Sequence, residues 1–101
     1  MTPREIIKRE YPRGLNVMTP ELVEYGALPW GAYELSKGTG ISGGVLYGVT
    51  VVRYDPATGR TERAGKLSTC FDSLRAAREH IEALRIGRTL RRTYATRPVR
   101  T

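Results

Sequence analysis

VLYGVTVVRYDPATGRTERAGKLSTCF, residues 45–71, is the stretch whose reading decides the fold. Valine and tyrosine dominate its first half, as they do in strands, where branched and aromatic side chains pack well on a pleated surface. With a period of two, Val45, Tyr47, Val49 and Val51 point one way and Leu46, Thr50, Val52 and Tyr54 the other. Both faces are largely apolar, so the strand calls for cover on both sides. The turn signal DPATG, with Pro56 and Gly59, then joins it to a further strand, RTERAGKLSTCF. Upstream, WGAYELSK (residues 30–37) reads as the strand before it, and the three make an antiparallel meander over residues 30–71.

Beyond Phe71 the period becomes helical. Asp72 or Ser73 caps LRAAREHIEALRIG, Leu74, Ala77, Ile81 and Leu84 form an apolar stripe, and Gly87 closes the helix. Arg75 with Glu79 and Arg78 with Glu82 stand four apart on its wet face. This helix is expected to cover one face of the sheet and the N-terminal segments, or a second copy of the chain, the other. At the N-terminus, TPREIIKREYP reads as a short helix with Thr2 as cap, Pro3 in the first position and Glu5 completing a capping box. TPELVEYG repeats that logic with Thr19, Pro20, Glu21 and a stop at Gly26, which predicts a second helix of about two turns.

The expected fold is therefore α+β: short helices over residues 1–29, a three-stranded sheet over 30–71, an amphipathic helix over 72–87 and a basic tail over 88–101. A chain of 101 residues suits one such domain. The tail, RTLRRTYATRPVRT, has no clear period and reads as a mobile terminus. No run of about 18 apolar residues exists to span a bilayer, and MTPREIIKRE is charged where a secretory signal carries its apolar core. These features predict a soluble, cytoplasmic protein without a membrane partner. One cysteine, Cys70, and one histidine, His80, exclude an internal disulfide and leave no ligand set for zinc. No metal and no cofactor are expected.

The chain carries a net charge of +7, unevenly placed. Residues 1–74 hold nine Lys/Arg against eight Asp/Glu, whereas residues 75–101 hold eight Arg against Glu79 and Glu82. Fourteen of the 17 basic residues are arginine, which a GC-rich genome explains as readily as a demand for the bidentate guanidinium fork.

KGTGISGGV, residues 37–45, matches the glycine-rich loop of protein kinases in spacing. That chemistry also needs a strand lysine, an H-R-D loop and a D-F-G aspartate, none of which is present. A dinucleotide loop would have to open a helix, and here a strand follows. Two readings remain open. Gly38, Gly40, Gly43 and Gly44 can supply the positive φ that a hairpin connection needs; alternatively Gly38, Gly40, Ile41, Ser42 and Gly43 form a binding loop whose exposed N–H groups approach a phosphate or a partner. Cys70 next to Phe71 reads as a small core-facing residue and His80 as flanking the helix stripe, so a thiol–imidazole dyad is not expected. The pattern predicts no catalytic residues and no enzyme. Trp30, Tyr33, Tyr47, Tyr54, Phe71 and Tyr94 read as core rather than as an open base-stacking face.

The order strand, strand, strand, helix, with VRYDPATGRTERAG and TCFDSLRAAREHIEAL, resembles the three-stranded DNA-binding domains of the AP2 type and the arm-binding domains of tyrosine recombinases. The likeness covers about residues 32–86, and it implies a sheet face that enters the major groove; Thr50 and Val52 stand here where those families present basic or polar readers. YELSKGTGISGGVLYGVTVV is also similar to small proteins of unknown function in phages of GC-rich actinobacteria, which implies a host-cytoplasmic setting. Two functions follow as expectations. One is nucleic-acid binding by phosphate contacts from Arg85, Arg88, Arg91, Arg92, Arg97 and Arg100, supplemented by Lys37, Arg60, Arg63 and Lys66. The other is a small regulatory module that binds a protein through the glycine-rich loop or the sheet, with homodimer formation as one form of it.

Overall fold

The hairpin formed by β2 (Gly31–Thr39) and β3 (Val45–Asp55) is the centre of the molecule. The computed structural model describes residues 1–12 and 18–86, and in these the chain runs α1 (Pro3–Glu10), β1 (Met18–Leu28), β2, β3, β4 (Arg60–Arg63), β5 (Thr69–Phe71) and α2 (Leu74–Arg85). The α+β class holds, with a helix on each face of an antiparallel sheet. β1 pairs with β2 and β3 with β4, while β5 pairs with the first half of β3, so β4 and β5 share one edge.

Two elements differ from the sequence expectation. Residues 18–28 are the edge strand β1 and not a second helix, which makes the sheet five-stranded rather than three-stranded. The Pro29–Trp30 turn folds this segment back on β2, from Leu28 opposite Gly31 to Met18 opposite Thr39. That long ladder overrides the local Thr19-Pro20-Glu21 signal. Pro20 is tolerated because β1 is an edge and because the register slips between Met18 and Glu21. The expected third strand is interrupted as well. Ala64 and Ser68 bracket a turn, and the Ser68 hydroxyl accepts the Val51 N–H at 2.8 Å, so the backbone donor that the missing ladder would have used stays paired.

α1 begins as expected, with the Thr2 hydroxyl accepting from Glu5 N–H and the Glu5 carboxylate accepting from Thr2 N–H. Ser73 caps α2. Alternation along β2 and β3 splits the core in two, as the doubly apolar strand requires. On the α2 side Tyr33, Leu35, Val49 and Val51 pack with Ala77, Ile81 and Leu84; on the α1 side Ala32 and Val52 pack with Ile6 and Ile7. Tyr33 is core, and Trp30, Tyr47, Tyr54 and Phe71 are partly buried against the two clusters.

Four finer expectations are corrected. Leu74 is 37% exposed, because Ala77 is the first residue of α2 to turn inward. Cys70 is exposed, since Phe71 takes the inward side of the three-residue β5 and Cys70 the opposite one. Arg78 pairs with Glu24 of β1 at 3.1 Å instead of with Glu82, which Arg85 takes. In the glycine-rich connection only Gly43 has a positive φ, of 90°, while Gly38 lies within β2 opposite Leu46.

Candidate functional site

The strand register sorts the candidate residues between two ends of the sheet. Gly40 to Gly44 connect β2 to β3 at one end, with Lys37 exposed on β2 nearby. α2 starts near this end, since β5 runs from opposite Val49 to opposite Tyr47 before leading into it. The opposite end gathers the Pro29–Trp30 turn, the turn from Asp55 to Arg60 and the last turn of α2, where the Trp30 indole N–H donates to the Leu84 carbonyl at 3.3 Å. Lys37 and the glycine-rich connection are thus separated from Arg60 and Arg85 by the length of the sheet. Lys66, exposed between β4 and β5, belongs to neither end. Arg88, Arg91, Arg92, Tyr94, Arg97 and Arg100 lie outside the described residues.

Two N–H groups of the glycine-rich connection are spent within it. Gly40 N–H donates to the Gly44 carbonyl at 2.7 Å and Gly43 N–H to the Gly40 carbonyl at 2.9 Å. These two bonds close the hairpin turn, while the N–H groups of Ile41, Ser42 and Gly44 have no partner among the described residues. At its tip Ile41 is fully exposed.

Most arginines of the folded body are held by local partners. Arg63 donates from Nε and from a terminal guanidinium nitrogen to the Glu10 carbonyl, at 3.0 and 2.7 Å, and its guanidinium lies 4.7 Å from the Tyr11 ring centre. It completes the C-terminal end of α1, where carbonyls lack partners within the helix. Arg9 donates to the Gly59 carbonyl, Arg75 pairs with Glu79, and Arg85 pairs with Glu82 and lies 5.9 Å from the Tyr33 ring centre. The exposed cations Lys37, Arg60 and Lys66 have no side-chain hydrogen bond or ion pair among the described residues.

One titratable cluster links β1 to α2. The Tyr33 hydroxyl donates to the Glu24 carboxylate, and that bond, aided by Arg78, holds the Glu24 carboxyl below its ordinary range. Burial, and then the hydrogen bond to Glu24, push the Tyr33 phenol up, so it stays neutral and donating. Cys70 and His80 are on opposite sides of the sheet; His80 packs against the Phe71 ring, and its Nε2 is 2.7 Å from the Leu67 carbonyl. No three His, Cys, Asp or Glu residues among the described ones are grouped to hold a metal ion.

Among the described residues an open cleft of about 600 Å³ lies at the Trp30 end, lined by Trp30, Arg53, Tyr54, Asp55, Arg60, Thr61 and Glu62. Sequence reasoning assigned only Arg60 of these to a site. The signal that could have found the others is the Pro-Trp turn at 29–30. No family model, curated protein or solved structure matches the chain. The likeness to AP2-type and arm-binding domains therefore rests on the sequence of residues 32–86 alone.

Proposed function

We propose that this is a small non-enzymatic binding protein that contacts nucleic-acid phosphates through its Arg-rich C-terminal segment, in a cytoplasmic setting. The observation that carries the reading is the partition of charge. All ten acidic residues fall within the described body, together with eleven Lys/Arg, whereas residues 87–101 contain five arginines and no acid. The body is close to neutral and its arginines are largely paired; the uncompensated charge is concentrated in one short stretch. Such a stretch releases counterions from a nucleic-acid backbone, and phosphate contacts position a protein without reading sequence.

The test is a salt titration of binding to random duplex DNA and to single-stranded RNA. It compares the protein with a variant in which Arg88, Arg91, Arg92, Arg97 and Arg100 are all glutamine. If these residues neutralise 3 to 5 phosphates, the slope of log K against log salt on duplex DNA flattens by about 3 to 4 units in the variant. An unmodified protein that binds neither nucleic acid at low ionic strength removes the reading. An unchanged slope moves the contacts to Lys37, Arg60 and Lys66.

The second reading, a protein-binding module, is favoured by the hairpin tip, where Ile41 is fully exposed and Val45 is 49% exposed. Ile41→Ala leaves folding intact on either reading and weakens a partner complex only on this one.

A further inference from the structure

We propose that the cleft at the Trp30 end receives one unstacked base of a single-stranded nucleic acid, with Arg60 on the adjoining phosphate. This rests on the nucleic-acid reading above and extends it from phosphate contact to a base site and a preference for single strands. The floor of the cleft is a fixed platform. Trp30 packs against the core cluster under α2, and its indole N–H is tied to the Leu84 carbonyl, so the ring has little freedom to lose on binding. The Arg53 guanidinium lies over the Trp30 ring, 5.6 Å from its centre, and the Arg53 side chain is 44% exposed, which leaves a cationic group beside the aromatic one. Aromatic rings and guanidinium planes are the surfaces on which unstacked bases settle, whatever their sequence.

The charges of the cleft argue for a base rather than for duplex phosphates. Arg53 and Arg60 are balanced by Asp55 and Glu62, with Glu62 3.7 Å from Arg53 and Asp55 accepting the Ala57 N–H at 2.9 Å. A net-neutral lining gains nothing from a backbone trough, yet its carboxylates suit base amines and sugar hydroxyls. Arg60, whose guanidinium is unpaired among the described residues, stands exposed beside the cleft floor to meet one phosphate. The volume falls within the range of about 300–1,000 Å³ typical of small-ligand sites. The Trp30–Leu84 bond also puts the last turn of α2 beside the cleft.

Trp30 is the only tryptophan in the chain, so its emission reports on this cleft. The experiment titrates the full-length protein with a fluorescently labelled oligoadenylate RNA and, separately, with a labelled duplex, following both the anisotropy of the label and the Trp30 emission. With the single strand, emission falls in step with the rise in anisotropy; with the duplex, anisotropy rises and emission stays constant. Trp30→Ala weakens single-strand affinity about 5- to 150-fold and leaves duplex affinity unchanged. Arg60→Ala, at an exposed position that leaves the fold intact, weakens single-strand binding in the same selective way. Single-strand binding without an emission change, or equal quenching by the duplex, overturns the base site and leaves the phosphate reading standing. No anisotropy change with either probe overturns both.

Discussion

Gly26 and Tyr33 face each other across the β1–β2 ladder, and the tyrosine ring occupies the space a side chain at 26 would need. A Cβ at Gly26 would overlap two carbons of that ring and the hydroxyl oxygen, so the glycine is there for the close approach and not for its backbone angle. The ring covers the glycine and aims its hydroxyl at Glu24. Gly26→Ala is therefore an overpacking substitution, expected to cost about 1–3 kcal/mol in urea unfolding. Gly43→Ala acts differently, since its Cβ meets nothing and only the positive φ resists; a cost of about 1–2 kcal/mol without loss of core packing is the expected outcome. The same cluster sets a pH dependence. The carboxyl of Glu24 is lowered first by the Tyr33 hydrogen bond and then by Arg78, so its proton affinity is weaker folded than unfolded. Its contribution is present above the ordinary glutamate pKa of about 4.3 and fades as pH falls through the lower, folded value. The stability difference between the wild type and Glu24→Gln, measured by urea unfolding, should shrink as pH drops from 7 toward 3. A difference that stays constant over that range would show that the carboxylate charge is not what matters.

Among the elements, α2 shows how much a period can tell. Ala77, Ile81 and Leu84 are buried and Glu79 is exposed, as the stripe predicts. Ile81→Ala should then cost about 2–5 kcal/mol and Glu79→Ala little, and equal effects in thermal unfolding would contradict the observed orientation of the helix. β3 and α1 were equally legible, because one is an eleven-residue run rich in valine and tyrosine and the other carries a full capping box. β1 was not. Its opening residues repeat the Thr-Pro signal of α1, and what makes it a strand is pairing with β2, a contact that no local window contains. The split into β4 and β5 was hidden for a similar reason, since it depends on the Ser68 hydroxyl reaching a backbone donor on β3. The candidate site was less legible still. The basic residues could be counted, but only the register shows that Lys37 and Arg60 lie at opposite ends, and only the tertiary fold ties Arg63 to the end of α1.

Across the whole molecule the two core layers share the same two strands, because alternate residues of β2 and β3 feed opposite sides. Ala32 lies under α1, while Tyr33, next to it, lies under α2; Val52 and Val51 divide in the same way. α1 is fastened to the far edge by Arg9 on Gly59, Arg63 on Glu10 and the Thr61 hydroxyl on the Glu10 carboxylate, so its loss would also loosen the β3–β4 turn beside the cleft. Neither layer can open without exposing strands on which the other depends, and a sheet shared in this way should unfold as one unit. Ile7 is fully buried under α1 on the side opposite Trp30, so Ile7→Ala tests the coupling directly. The substitution should cost about 2–5 kcal/mol. Its urea transition followed by far-ultraviolet circular dichroism should coincide with that followed by Trp30 emission, although the indole touches only the other layer. If the dichroism signal fell first and the tryptophan signal later, the layers would be separate cooperative units, and the α2 layer with its cleft would be stable without α1.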